Sequence, residues 1–189
     1  MNNPDVEEWV ERLAPVLQSR EDLFEEGQDQ TFTARWLMKQ WPQDVRQTGL
    51  SAQHLAMIGF IKGITARHFF RHTDDGIRTF TRKAFEHAQC KRDSKAIRTL
   101  TEQKGIRVAA ASAILAWVLP HRYAVLDERV ARALRFFGIS VPNVPTAERF
   151  YAKEYLPLTR KLSEQFEGRT PQQVDVWLYN HNGRGLPLS

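Results

Sequence analysis

Asp127, in the run AVLDERV, combines a residue type and a setting that could do chemistry. It stands just ahead of ERVARALRFF, whose pattern predicts a helix, so its carboxylate would accept backbone N–H bonds and be favoured as an anion. A carboxylate held that way can stabilise positive charge as it develops on a substrate, and can orient or deprotonate water. Capping and catalysis are both open to it. Asp127 follows Gly105 by 22 residues, and Gly105 lies in KGIRVAAASAIL. A helix, a tight turn around KGIR and a second helix would leave N–H groups near residues 105 to 109 free to meet a phosphate oxygen. Ala109, Ala110, Ala111 and Ala113 would let the two backbones approach closely.

Other reactive residue types are sparse. Cys90 is the only cysteine, so neither an internal disulfide, a four-cysteine zinc site nor a cysteine-bound iron–sulfur cluster can form. His68 and His72 stand four apart with Phe-Phe-Arg between them in a basic stretch, and no metal or other cofactor is expected. Lys62 interrupts the apolar run MIGFIKGI, where it could contact a phosphate or base or snorkel at the rim of the core. His121, Arg122 and Tyr123 precede the aspartate, as a contact region or a surface loop, and Asp175 in VDVWLYN is a second acid or an ion-pair partner.

These residues need a scaffold. The chain has 189 residues, 42% of them hydrophobic, enough for one compact domain, with two lobes allowed. Its net charge of +5 and pI near 9.6 permit a polyanionic partner. The charge is uneven: residues 1–30 are acidic, whereas Arg67 to Arg107 carries RHFFRH, RTFTRK, CKRDSK and KGIR. The N-terminus lacks the order of a signal peptide and no apolar run has membrane-spanning length, so a soluble, cytoplasmic protein is expected, and it is taken as a monomer.

The periodicity is helical throughout, apart from the short YAVL, and predicts an all-α fold. Asn3-Pro4 opens a first helix that Pro15 should kink or end, and Thr33 to about Gln40 forms a second with Trp36. Ser51 caps SAQHLAMIGFIKGI, Asp74 or Asp75 caps GIRTFTRKAFEHA, and Ser94 caps a helix stopping at Gly105. Val108 to about Val118 is apolar nearly all round and should be central. Asp127 caps the next helix, with Gly138 as its stop. Thr146 opens a region running to Phe166 that Pro157 bends, and Thr170-Pro171 starts the last helix before a loose tail.

From Ser94 to Phe137 the residues resemble the helix–hairpin–helix superfamily of DNA base-excision glycosylases. Gly105-Ile106-Arg107 falls on the family's Gly-Val-Gly, Ala110-Ala111 on its Thr-Ala, Ile114-Leu115 on its aliphatic pair, and Val125-Leu126-Asp127 on the stretch ending in the catalytic aspartate. A weaker likeness to small bacterial members extends to VDVWLYN. The resemblance implies a compact, two-lobed helical bundle that binds double-stranded DNA and flips out a damaged or modified base. Asp127 would then support hydrolysis of that base's N-glycosidic bond. It implies DNA contacts from Lys104, Gly105, Arg107, Ala109, Ser112 and Arg129, and a base pocket drawn from Lys62, Tyr123 and Trp36, with Trp41, Phe69, Phe70 and Trp177 as further aromatic candidates. Arg107 replaces the second glycine, so its guanidinium could make the phosphate contact instead. Ala109 stands where bifunctional members carry a lysine nucleophile, which implies a monofunctional glycosylase. Two alternatives stay open: a helix–hairpin–helix module that binds DNA without chemistry, and a helix-turn-helix regulator. The second is disfavoured because Val108 to Val118 offers few side chains able to read base edges.

Overall fold

In the computed structural model the described residues are 4–20, 44–61 and 72–182. Every regular element among them is helical, as the periodicity predicts. In chain order they are α1 (Pro4–Ser19), α2 (Val45–Thr48), α3 (Ala52–Ile61), α4 (Asp74–Gln89), α5 (Asp93–Thr101), α6 (Val108–Val118) and α7 (Glu128–Phe136). A 3₁₀ turn (Val144–Thr146) leads into α8 (Glu148–Phe150), a π-helical turn (Tyr151–Tyr155), α9 (Leu156–Gln165) and finally α10 (Pro171–Asn182). The expected helix near Thr33 to Gln40, with Trp36, lies outside the described residues, as do Trp41, Lys62, His68, Phe69, Phe70 and the tail.

Apolar α6 is the centre of the core. All of its residues but Ala109 are buried, and α3 and α5 pack against it. A helix of this composition has no polar face to give to water, so it folds only when neighbours cover it on every side. Helices α4 and α5 pair closely, α7 lies along α10, and α9 bridges α10 to α1.

Several boundaries differ from the sequence reading. Pro15 does not end α1, which continues to Ser19; Leu13 and Leu17 on either side of the proline are fully buried, and that burial offsets the lost hydrogen bond. The cap of α4 is Thr73, whose hydroxyl accepts from Gly76 N at 3.1 Å. Asp74 instead reaches back to Ala52 N at 2.6 Å, joining α4 to the start of α3. Arg92, not Ser94, precedes α5, which starts at Asp93. The π turn stands immediately before Pro157, where a regular helix would need an N–H that proline lacks. Thr170 and Gln173 cap α10 reciprocally, Thr170 N donating to Oε1 of Gln173 at 2.9 Å and Gln173 N to Oγ1 of Thr170 at 3.2 Å.

Candidate functional site

Two non-helical connections flank α6, and the candidate residues sit on them. The first, residues 102–107, joins α5 to α6. Gly105 has φ +88, in the region where only glycine is unstrained, and this lets the chain reverse within six residues. Ile106 is buried beneath the turn while Lys104 and Arg107 are exposed. Arg107 is extended and gives α6 no side-chain cap, at a helix start whose first N–H groups have no partner within the helix. His72 braces this connection from the start of α4, its Nε2 lying 2.9 Å from the Lys104 carbonyl oxygen.

The second connection, residues 123–127, is the YAVLD stretch. It is extended, yet no strand pairs with it among the described residues, so its backbone groups need other partners. Side chains supply them. Tyr151 Oη donates to the Ala124 carbonyl at 3.0 Å, and Tyr155 Oη to the Val125 carbonyl at 2.7 Å. Val125 N donates to Oδ2 of Asp175 at 2.6 Å, and Leu126 N to Oγ of Ser112 at 3.0 Å. Both tyrosines come from the π turn, where four residues of separation bring the two rings to one face. Burial, with nearby charges that include Asp175, raises the pKa of each well above the ordinary tyrosine value, so both phenols remain donors.

A second cluster anchors the strap's beginning. Asp93 Oδ1 accepts from Tyr123 Oη at 2.6 Å and from Arg122 Nη2 at 3.1 Å, while Oδ2 accepts from Arg160 Nη1 at 2.7 Å. Arg160 Nε also donates to the Arg122 carbonyl at 2.9 Å. Burial opposes ionisation of Asp93, but the hydrogen bonds from Arg160 and Tyr123 and the charges of both arginines outweigh it and hold its carboxyl below the usual range.

At the strap's other end stands Asp127. It is the N-cap of α7, with Oδ1 accepting from Arg129 N at 3.0 Å and Val130 N at 3.1 Å, and it is half-buried. Ser112 is four residues into α6, roughly 6 Å from its first residue along the axis, and its bond to Leu126 fixes the residue next to Asp127. Asp127 is thereby tied to the same half of α6 as residues 102–107.

The remaining candidates fall into two groups. Lys104, Gly105 and Arg107 share the exposed connection, and Ala109 is half-buried just inside α6. Arg129 is exposed, but its Nη1 donates to Tyr179 Oη at 2.6 Å and its guanidinium lies 4.7 Å from that ring's centre. Ser112, expected at the DNA, is fully buried and links α6 to the strap, its hydroxyl accepting from Leu126 N while it donates to the Ala109 carbonyl. Tyr123, expected in a base pocket, is enclosed in the core with its hydroxyl on Asp93. Trp177 is likewise buried, stacked against Phe137. The roles of Tyr151, Tyr155, Asp93 and Arg160 escaped sequence reasoning; the four-residue tyrosine spacing ahead of a proline is the one signal that could have drawn attention to the first two. Asp175, left open above as a second acid, is buried and holds Val125. No protein-family model, no curated protein and no solved structure matches the chain.

Proposed function

We propose that the chain is a DNA glycosylase of the helix–hairpin–helix kind. The connection 102–107 grips a backbone phosphate through Lys104, Arg107 and the N–H groups at the start of α6. A damaged or modified base leaves the stack, and the bond from its nitrogen to C1′ of the sugar breaks with the electron pair passing to the base. The ionised carboxylate of Asp127 stabilises the positive charge on the sugar and directs water to C1′, taking up the proton that the water loses. The observation that carries this reading is the fourfold side-chain anchoring of residues 124–126, which immobilises the residues leading into Asp127. A carboxylate preorganised in this manner needs no rearrangement as charge develops.

The test is base release from labelled duplexes carrying oxidised, alkylated, deaminated or bulky modified bases, read with and without alkali. One released base, scission only after alkali, and loss of release in Asp127→Asn are the expected results. One feature favours a second reading, a DNA-binding module without chemistry: Oδ1 of Asp127 already accepts two backbone N–H bonds. Binding of every duplex with release from none, in wild type and variant alike, would establish that alternative.

A further inference from the structure

The exposed cations near the hairpin continue well beyond it. Lys91, Arg92, Lys95 and Arg98 are all exposed along α5 and the turn that precedes it, and none forms an ion pair with a described residue. Lys95 and Arg98 stand three apart, so they share one face of the helix. Across from them, Lys153 of the π turn lines a cleft of about 230 Å³ together with Lys91, Arg92, Lys95 and Ser94. Asp93 is the acid in that cleft, and two arginines already hold it. Lys91 has φ +57 just past the end of α4, where Arg92 N donates to the His87 carbonyl at 2.9 Å and closes the helix, so the turn that carries Lys91 and Arg92 has a fixed backbone. Glu102, the first residue of the 102–107 connection, is exposed just past the opposite end of α5.

We infer that this row, from the Lys91–Arg92 turn and Lys153 along α5 to the hairpin, is a second phosphate-binding locus that follows one strand of duplex DNA away from the hairpin. The inference rests on the DNA-binding part of the function proposed above. Helix α5 is roughly 13 Å long, long enough for the row to meet more than one phosphate of the strand. Charge complementarity selects this partner: the row offers exposed cations to a polyanion.

The test is binding of a fluorescein-labelled undamaged duplex followed from about 50 to 200 mM salt, where each phosphate contact adds about 0.9 to the slope of log affinity against log salt. Wild type is compared with a row variant (Lys91→Gln, Lys95→Gln, Lys153→Gln), a hairpin variant (Lys104→Gln, Arg107→Gln) and a control (Arg46→Gln, Lys83→Gln, Arg132→Gln). All are exposed substitutions, and circular dichroism checks that each protein is folded. The expected result is a slope lower by about 2 to 3 in the row variant, a smaller fall in the hairpin variant, and an unchanged slope in the control. An unchanged slope in the row variant, or an equal fall in the control, overturns the second locus. If only the row variant falls, the locus stands and the hairpin grip fails; if wild type binds no DNA, both fail.

Discussion

The two connections flanking α6 are opposites in construction. Residues 123–127 are drawn into the core, and the backbone groups of Ala124, Val125 and Leu126 are held by side chains distant in sequence. Residues 102–107 are mostly on the surface, with Lys104 and Arg107 unpaired among the described residues and a glycine at positive φ making the turn. The difference teaches what each segment is suited to do. Holding a carboxylate still requires many short bonds in a place of low dielectric. Gripping a phosphate requires exposed donors that lose little by desolvation.

If this division is real, substitutions in the strap's anchors cost stability and substitutions of the exposed cations of residues 102–107 do not. The largest effect is expected for Asp93→Ala, which strands two guanidinium charges beside Tyr123. Because the Arg122 and Arg160 side chains keep 25% and 27% of their exposure, the cost is set near the lower end for broken buried pairs, about 3 kcal/mol in chemical denaturation. The same carboxyl gives a pH signature. Its folded pKa lies below its unfolded value, so its contribution is complete above about pH 4 and disappears as pH falls through the folded value. Wild type and Asp93→Ala should therefore converge in stability under acid.

Next comes Tyr155→Phe, which leaves the buried Val125 carbonyl without its donor; a loss of about 1 to 2 kcal/mol is expected by urea denaturation. Gly105→Ala should cost about 1 kcal/mol through the positive φ alone and, on the function proposed above, should also weaken DNA binding. The smallest effect on the melting temperature belongs to the pair Lys104→Gln and Arg107→Gln. No measurable shift is expected there, and a fall of several degrees would break the comparison by showing that the hairpin cations serve the fold.

How much of this was readable beforehand follows the range of the interactions. The span of α6, the cap at Asp127 and the start of α10 at Pro171 are set by local pattern, and sequence reasoning placed all three. The strap's anchors were not readable, because its bonds join residues 14 to 50 positions apart and a tyrosine or serine carries no local mark of which partner it will meet. Ser112 shows the difficulty: a hydroxyl near a hairpin suits a phosphate or a buried amide equally well, and only the packing of α6 against the strap selects the amide. Thr73 was missed as the cap of α4 because two aspartates follow it, and Asp74 is needed elsewhere, on Ala52.

The central claim is that binding and chemistry are divided between these connections, and single-turnover base release with matched affinity measurements on one lesion duplex tests it most directly. The account predicts that Asp127→Asn lowers the saturating rate by about a hundredfold or more while Kd is unchanged. It also predicts that Lys104→Gln with Arg107→Gln raises Kd and leaves the saturating rate intact. A rate that survives Asp127→Asn, or a pair of variants that shift rate and Kd alike, would contradict it.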